Sequence, residues 1–536
     1  MNLPRSLFSL ASLTALLLGQ PLQAAELTAP ADISPVAPQA HDSGLPQDWQ
    51  QRGVFMEILV RSYQDSNGDG IGDLNGVTRR LDYLKALGIT GIWLLPVYRS
   101  ADHDHGYAIT DYRDIEPDYG TLADFDRLVA EAHKRGIGVI LDYVMNHSAD
   151  THPLFAAANS ARNSPWRNWY VWQNDKPKGW QTYGGDPWYA GKAGGYYYGA
   201  FASTMPDFNF RNPQVLEFHL DNLRFWLNRG VDGFRFDAVG ALVENGPNLW
   251  ENQPENHQIM RRVHDLLNEY GKRYMVAEVP SAPTEFSASD SAGSAFAFGL
   301  QTAILKSVQM GRTMDTLTGY LKQKPVARMG TFLSNHDTFA GARIAQQLGG
   351  DIASNKIAAA TLLTLPGIPF LYYGEEIGQT FSEPVQWDDQ RLRGPMSWDD
   401  SANAGFSTAK PFRALAANYA TANVAAEQSQ PGSLLETYRA LIALRKAHPA
   451  LQTGNLKLLS DDDDPVLVFT REAAGEQILV ALNYSRRPAS FKLPPALANQ
   501  HWQFLYTTTD KADIQLQTDE LSLTAQQVTI FKRALP

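Results

Sequence analysis

The sequence predicts an α/β protein, with a large domain of parallel strand–helix units followed by a smaller antiparallel β domain. Short apolar runs at residues 55–60, 89–97 and 137–143 alternate with segments of helical periodicity. Runs that are apolar on both faces are typical of parallel strands covered by helices. From about residue 456 onward, apolar and polar residues alternate instead, as at residues 466–470, which indicates an antiparallel sheet.

Length and composition set limits on the class of protein. A chain of 536 residues is too long for one ordinary hydrophobic core, so we expect one large domain and at least one smaller one. Hydrophobic and charged contents of 44% and 19% are globular values. The net charge of −11 and the lack of a basic stripe argue against nucleic acid as a partner. The absence of cysteine from the sequence excludes disulfides and thiolate metal sites.

The first 24 residues have the pattern of a secretory signal peptide. Arg5 supplies a positive charge, residues 7–18 form a short apolar run, and residues 22–24 form a small-residue cleavage site. The run is too short to span a bilayer comfortably, and an uncleaved N-terminal anchor is the alternative. We therefore expect a secreted or periplasmic protein with no stable membrane insertion after signal removal. Residues 25–50, rich in Pro, Ala and Ser, are predicted to form a linker.

A loop after the first apolar run has the spacing of a calcium site. Oxygen-bearing side chains at Asp65, Asn67, Asp69 and Asp73 alternate with glycines that permit a tight wrap. The main-chain carbonyl of Ile71 lies where calcium loops place a backbone ligand. The glutamate that would complete an EF-hand at position twelve is replaced by glycine, so a helix–loop–helix hand is excluded. A solvated turn without a metal ion is the alternative.

The segment GFRFDAV at residues 233–239 predicts a buried strand that carries charged groups. Side chains two residues apart on a strand share a face, so Arg235 and Asp237 should be neighbours. A nearby guanidinium favours an ionised carboxylate, and we expect it to lower the pKa of Asp237. A purely structural ion pair at a strand end is the alternative.

Three further segments have the same form, an apolar run that ends in polar or charged residues. They are GVILDYVMNH at residues 138–147, YMVAEVP at 274–280 and GTFLSNHD at 330–337. Together the four segments resemble the signature regions of the α-amylase family, glycoside hydrolase family 13. The resemblance covers roughly residues 50–536.

The resemblance implies a domain organisation. It places an eight-stranded (β/α)8 TIM barrel over residues 51–147 and 208–450. An inserted domain B, residues 148–207, follows the third strand, and a C-terminal antiparallel β-sandwich covers residues 451–536. The active site of such a barrel lies at the C-terminal ends of its strands. The insertion is rich in aromatic residues, most of which we expect to form its own small core.

The resemblance also assigns roles to the strand-end carboxylates. Asp237 corresponds to the nucleophile of a retaining glycosidase, Glu278 to the general acid and base, and Asp337 to a third carboxylate that binds sugar hydroxyls. Glu278 must be protonated near neutral pH, so burial or nearby negative charge should raise its pKa. The same motifs imply a set of substrate-binding residues, which are Tyr107, His147, Arg235, His336 and Arg393.

Two substrate modes are compatible with these motifs. Many relatives carry an aspartate at the position of Ala108, where it pairs with an arginine to hold a terminal glucose. Its absence, and the form of residues 205–209, favour an exported α-amylase that hydrolyses internal α-1,4 bonds of starch and maltodextrins. The loop that contains Arg393 favours the alternative, an α-glucosidase or a glucosyl-transferring relative such as trehalose synthase. A non-catalytic sugar-binding member is disfavoured because all three carboxylates are present.

The resemblance extends to cofactor and assembly. The oligo-1,6-glucosidase branch of the family carries the same loop as residues 65–73, so we expect calcium as the cofactor. The expected partner is an α-glucan, and the expected state is a monomer.

Overall fold

The computed structural model describes residues 29–382, 389–498, 500–509 and 519–535; the predicted signal peptide at residues 1–24 lies outside them. At its centre is a barrel of parallel strands, each predicted from a short apolar run. Seven strands pair in one sheet. In chain order they are Phe55–Ile58, Gly91–Leu94, Gly138–Val144, Gly233–Asp237, Tyr274–Ala277, Gly330–Thr331 and Ile368–Tyr372.

The barrel is completed by a very short sixth strand position. Ala277 bridges to Ala295, and Phe296 bridges to Gly330, both in parallel orientation. The first strand pairs with the last, Phe55 lying opposite Phe370. Eight parallel positions therefore form the ring, which confirms the predicted TIM barrel. Below, the barrel strands are counted first to eighth, with residues 295–296 as the sixth.

Helices cover the outside of the barrel. The principal ones are Leu74–Arg79, Leu81–Leu87, Leu122–Lys134, Pro213–Asn228, Pro254–Glu269, Leu300–Met310, Asp315–Gln323, Ile352–Thr364 and Leu434–Ala447. Shorter helices are Val60–Tyr63, Pro153–Ala158, Pro283–Phe286, Ile344–Gln347, Val424–Glu427 and Pro449–Thr453. No helix in the described parts of the chain has the length and hydropathy needed to cross a membrane.

Local sequence explains where these helices begin and end. Thr121 and Asp124 form a reciprocal capping box at the start of Leu122–Lys134, which satisfies backbone amides that have no partner inside the helix. Helix Pro213–Asn228 combines an Asn212 cap with a proline in its first turn. Helix Leu81–Leu87 ends at Gly88, whose φ of 100° lies in the left-handed region that favours glycine.

The insertion between the third barrel strand and helix Pro213–Asn228 has a small core of its own. It contains a three-stranded antiparallel sheet of Trp172–Gln173, Tyr196–Tyr198 and Trp188–Ala190. Val171, Trp188, Tyr198 and Ala200 form a separate buried cluster. Trp169, Tyr170 and Tyr197 belong instead to the main core. The aromatic residues of the insertion therefore serve packing, but the prediction that most of them form a core of the insertion's own holds only in part. A second excursion, the antiparallel pair Tyr98–Ser100 and Ile109–Ile115, follows the second barrel strand.

The C-terminal domain is an antiparallel β structure of two sheets. One sheet has the order Asn455–Leu458, Val466–Ala473, Glu476–Asn483, Val528–Ala534 and Gln503–Thr507; the other pairs Ala489–Lys492 with Glu520–Leu523. Apolar side chains from both sheets share one buried cluster. This arrangement confirms the predicted C-terminal β domain.

Residues 29–50, within the stretch predicted as a linker, lie along the barrel. The amide of Val36 donates to the Asp221 carboxylate at 3.0 Å, and Arg113 donates to the carbonyl of Ser34 at 2.9 Å. Trp49 is buried and donates its indole N–H to the carbonyl of Lys272 at 2.9 Å. Specific hydrogen bonds and a buried ring therefore hold this segment against the barrel wall.

Candidate active site

One buried guanidinium joins the carboxylates at the ends of the third, fourth and fifth strands. The Nη1 atom of Arg235 lies 2.7 Å from Asp142 Oδ1 and 2.7 Å from Asp237 Oδ1. Its Nη2 atom lies 2.8 Å from Glu278 Oε1. Arg235 and Asp237 project from the same face of the fourth strand, as their spacing predicts. The structure therefore places the predicted nucleophile and the predicted acid on two nitrogens of one side chain.

Burial controls the protonation of these two carboxyl groups. Burial, together with the negative charges of Asp237 and Asp337, raises the pKa of Glu278 to about 8 against the opposing effect of Arg235. The predicted upward shift is confirmed. Burial also raises the pKa of Asp237 to about 6, so the prediction of a lowered pKa is wrong. Arg235 acts in the expected direction, but loss of water from a fully buried carboxylate outweighs it. The order of the two pKa values still suits the assigned roles, because Asp237 ionises at a lower pH than Glu278.

The backbone after the nucleophile is unusual. Ala238 has φ of 47° and ψ of 37°, a left-handed conformation that a residue with a Cβ rarely adopts. Its amide donates to Glu278 Oε2 at 3.1 Å. The strained residue therefore helps to orient the acid beside the nucleophile.

The third carboxylate and its histidine lie across the pocket. His336 Nε2 is 3.2 Å from Asp337 Oδ2 and 2.7 Å from the hydroxyl of Tyr107. His336 Nδ1 is 2.6 Å from Glu57 Oε1 on the first strand. Burial lowers the pKa of His336 and raises that of Glu57, so the neutral form of each is favoured. The ring of Tyr107 is parallel to that of His336, with centroids 5.7 Å apart.

Arg393 closes this side of the pocket without help from residue 108. Its Nη2 atom donates to Asp337 Oδ1 at 2.8 Å, and its Nε atom donates to the carbonyl of His336 at 3.0 Å. The segment behind it is fixed by Arg413, which donates to Asp104 at 2.5 Å and to the carbonyl of Arg393 at 3.1 Å. A loop after the second strand is thereby tied to the arginine segment.

His147 lies on the other side of Tyr107, next to domain B. It is buried, and burial lowers its pKa to about 4, so the imidazole is neutral. Its Nε2 atom has no hydrogen-bond partner among the described residues. An unpaired buried nitrogen at a strand end is suited to a substrate hydroxyl. We call Asp337, His336, Arg393, Tyr107 and His147 the donor side.

A second set of residues, from three loops, stands beyond Glu278. The hydroxyl of Tyr183 in domain B donates to Glu251 Oε1, and Ser281 Oγ donates to the same oxygen at 2.6 Å. Trp250 meets the Tyr183 ring edge to face at 4.8 Å, and Phe201 stacks on it at 5.1 Å. Ser281 follows Glu278 closely in the chain, so this set is attached to the end of the fifth strand. We call these five residues the acceptor side.

Sequence reasoning assigned no role to two buried acids. Asp142 on the third strand binds Arg235 and accepts from the Tyr107 hydroxyl at 2.8 Å, while Glu57 supports His336. A signal was present, because each is a single carboxylate inside an otherwise apolar run. Such a residue is rarely buried unless it is paired. The sequence did not show which partner each would meet.

The proposed calcium loop has the tight wrap that its glycines predict. Gly68 and Gly70 have φ of 85° and 89°, and Asp65 and Asp73 are buried. Burial opposes ionisation of Asp65, but hydrogen bonds from Ser407 and from loop amides leave its pKa below the ordinary value.

The donor atoms of this loop fit a hard cation in type, since all are oxygens. Asn67, Asp69 and Ile71 lie on the same short turn, where Asp69 accepts the Ile71 amide at 2.8 Å and the Asn67 side-chain amide at 3.0 Å. Among the described residues, one set of three acidic or histidine side chains brings its ligand atoms within 4.8 Å of one another, and it lies outside the loop. That set is His103, Glu116 and Asp118. The shape and chemistry of the loop therefore fit, while its carboxylates bind backbone amides.

The barrel and its paired strand-end carboxylates are the arrangement of an enzyme that breaks or exchanges glycosidic bonds. The family described as alpha amylase, catalytic domain, matches residues 57–454. The family described as maltogenic amylase, C-terminal domain, matches residues 456–528. The chain belongs to the α-amylase family, glycoside hydrolase family 13.

Relatives within the family carry several names. An oligo-1,6-glucosidase from Parageobacillus thermoglucosidasius is 31% identical, covering 91% of this chain and 99% of the relative. A trehalose synthase/amylase from Mycobacterium tuberculosis is 34% identical, over 85% of this chain and 86% of the relative. An alpha-amylase 3 from Dictyoglomus thermophilum is 35% identical, over 84% of this chain and 88% of the relative. A solved trehalulose synthase mutant in complex with Tris has a TM-score of 0.82 and 31% identity, over 90% of this chain and 100% of that chain.

These similarities correct the prediction of an endo-acting α-amylase, which is wrong. Similarity to an oligo-1,6-glucosidase, a trehalose synthase and a trehalulose synthase supports the alternative, an α-glucosidase or a glucosyl-transferring enzyme. The error came from the weight given to Ala108. Arg393 keeps its place through Asp337 and the His336 carbonyl, and needs no carboxylate at residue 108.

Proposed function

We propose that the protein is a retaining α-glucosidase that acts on the terminal glucosyl unit of short α-glucosides and passes it to water or to a second sugar. The observation that carries this proposal is the position of Arg393, which closes the donor side onto Asp337. A pocket closed at that end by an ion pair suits a single terminal ring better than the interior of a long glucan.

The geometry supports a double displacement. Asp237 attacks the anomeric carbon, the bond from that carbon to the leaving oxygen breaks, and Glu278 gives its proton to that oxygen. A glucosyl ester on Asp237 results. Glu278, now a carboxylate, takes the proton of water or of an acceptor hydroxyl, whose oxygen attacks the same carbon and frees Asp237.

The test is the product pattern from maltoheptaose, from the same substrate blocked at its non-reducing end, and from isomaltose. We expect glucose in the first minutes, release as the α-anomer, and no cleavage of the blocked substrate. Mixed oligosaccharides from the blocked substrate would contradict the exo mode. A β-anomer would contradict the retaining mechanism.

A second candidate is glucosyl transfer, including isomerisation of a disaccharide. The observation that favours it is the acceptor side, where the rings of Trp250 and Phe201 pack against an exposed Tyr183 ring. Such rings suit the apolar faces of a sugar. Incubation with maltose, sucrose and trehalose, followed by chromatography, measures the ratio of rearranged disaccharide to free glucose. Glucose alone at every substrate concentration would limit the enzyme to hydrolysis.

We also propose that the loop at residues 65–73 binds one calcium ion. The oxygen donors, the left-handed glycines and the ionised Asp65 support it. Metal analysis of the purified protein should find one calcium per chain, and removal by a chelator should lower the unfolding temperature, because a ligand that binds only the folded state stabilises it. The Asp69→Ala variant should lose most of that chelator effect. Metal-free protein that is unaffected by the chelator would contradict the site.

Export is proposed on the pattern of residues 1–24 alone. N-terminal sequencing of the mature protein from its native host should begin near residue 25, in the periplasmic or extracellular fraction. An intact Met1 on a membrane-bound protein would contradict cleavage. Light scattering on the same material tests the proposed monomer.

A further inference from the structure

Away from the catalytic centre, the structure contains a cavity of about 580 Å³ between domain B and the loop that follows the fourth barrel strand. Its lining includes Trp172, Trp180 and Trp188 from domain B, and Glu244 from the loop. The lining contains no residue of the donor or acceptor side. The volume is within the range of small-molecule sites, about 300–1,000 Å³.

The aromatic lining offers one open platform. Trp172 is not this platform, because Arg167 lies over its ring and the Phe155 ring is parallel to the Trp172 ring, with the two centroids 5.9 Å apart. Trp180 is half-buried and meets Trp188 and Tyr198 only edge to face, at 5.6 and 5.5 Å. Part of the Trp180 ring is therefore available to the cavity, and an indole face suits the apolar face of a pyranose ring.

The arginine side chains of the lining are held by hydrogen bonds within the fold. Arg211 lies 2.9 Å from Glu244 Oε1, donates to the carbonyl of Glu244 at 2.6 Å, and donates to Asn245 Oδ1 at 2.8 Å. Arg167 donates to the carbonyls of Ala158 and Gly194, at 3.2 and 2.8 Å. Because Arg211 is tied to Glu244 and Arg167 to two carbonyls, both guanidinium groups hold the walls of the cavity in place. Exposed amides at Asn168 and Gln173 add neutral hydrogen-bonding groups.

We propose that this cavity is a second, non-catalytic binding site for a neutral α-glucan oligosaccharide. An aromatic platform and neutral amide groups form a lining that suits a sugar. The loop that lines the cavity at residues 244–246 continues to Trp250 and Glu251 on the acceptor side. A bound oligosaccharide would thus lie at one end of a loop whose other end faces the catalytic cleft. The inference does not depend on the exo mode, because it concerns binding alone.

The test is isothermal titration of the Glu278→Gln variant with maltotetraose, which that variant should not cleave. We expect two binding sites per chain. In the Glu278→Gln, Trp180→Ala double variant, the second site should weaken at least tenfold. The matched control adds Trp166→Ala instead, since Trp166 is a half-buried tryptophan of the same domain that lies outside the lining; two sites should remain.

Two results would overturn the proposal. One is a single site in the Glu278→Gln variant, which needs no change in the cavity and so cannot be attributed to misfolding. The other is an unchanged second site when Trp180 is removed. Failure of the exo mode would appear instead in the product pattern of the active enzyme, so the two proposals fail independently.

Discussion

The donor side and the acceptor side of the catalytic centre are built in different ways. On the donor side, His336 and Arg393 are 0% and 4% exposed, and each is bound by an acidic side chain or a backbone carbonyl. On the acceptor side, Tyr183 is 54% exposed, and its hydroxyl reaches a glutamate on a loop of another domain. One side is a buried ionic network, and the other is a set of loops joined by hydrogen bonds at the surface.

This difference separates what is fixed from what can vary. A buried network is costly to disturb, because each charge that loses its partner stays desolvated. Exposed loops accept substitution with little loss of stability, and binding differences between related enzymes commonly arise there. We therefore expect the donor side to set the glucosyl unit, and the acceptor side to set where that unit goes.

The largest expected effect comes from the acid that both sides share. Glu278→Gln should lower kcat on isomaltose by about 10³- to 10⁴-fold, because the leaving oxygen no longer receives a proton. With a glucosyl fluoride, whose leaving group needs no proton, the first step should be slowed far less. Because Glu278 also serves the second step as a base, the first step is measured alone, as the pre-steady-state release of fluoride compared with single-turnover cleavage of isomaltose. An equal loss on both would give Glu278 a structural role.

On the donor side, Arg393→Ala should lower kcat/KM for a terminal glucoside by about 10²-fold or more, as removal of one partner from a buried charge pair typically does. Asp337 would lose its nearest guanidinium. Arg393→Lys should restore only part of the activity, since a lysine cannot replace the planar guanidinium that contacts both the Asp337 carboxylate and the His336 carbonyl. Cleavage of the end-blocked maltoheptaoside should not appear in either variant. Full activity of Arg393→Ala would show that the donor side is closed by something else.

The pH profile tests the order of ionisation. Activity requires an ionised Asp237, so kcat/KM should fall about tenfold per pH unit below an apparent pKa near 6. It also requires a protonated Glu278, so it should fall in the same way above an apparent pKa near 8. Because these carboxylates interact, the two apparent pKa values describe the coupled carboxylates together and not either residue alone. A profile that stays flat up to pH 9 would contradict the raised pKa of Glu278.

The smallest expected effect is on the acceptor side. Tyr183→Phe removes the hydroxyl that binds Glu251 and keeps the ring. We expect the ratio of transfer to hydrolysis to change by about two- to fivefold, which corresponds to one surface hydrogen bond. The control is Tyr189→Phe, since Tyr189 is a half-buried tyrosine of domain B that belongs to neither side. An equal change in both variants would remove the special position of Tyr183.

Patterns in the sequence carry the fold and most of the candidate donor side. The apolar runs mark seven of the eight barrel positions, and each predicted carboxylate follows such a run. The sixth position was not predicted, because its apolar run, residues 295–298, is short and forms only the isolated bridges of Ala295 and Phe296. Tyr107, His147 and His336 were assigned by their motifs, and the structure brings Tyr107 and His336 into contact.

The acceptor side was not predicted, and the reason is physical. Tyr183, Glu251 and Ser281 come from three separate loops, none of which has a periodic pattern, and they meet only when domain B folds onto the barrel. The cavity beside Trp180 was not predicted for the same reason, since its lining also comes from separate segments of domain B and of the loop at residues 244–246.

By itself, the sequence determined the strand–helix order, the β domain at the C-terminal end and the residues that carry charge at the strand ends, since these follow from periodicity along the chain. The tertiary structure alone decided which charges meet and how strongly water is excluded from them. It set the pKa of Asp237 above its ordinary value despite the adjacent Arg235, and it kept Arg393 in the pocket without a carboxylate at residue 108. Desolvation and contact between distant segments depend on packing in three dimensions, which no local spacing records.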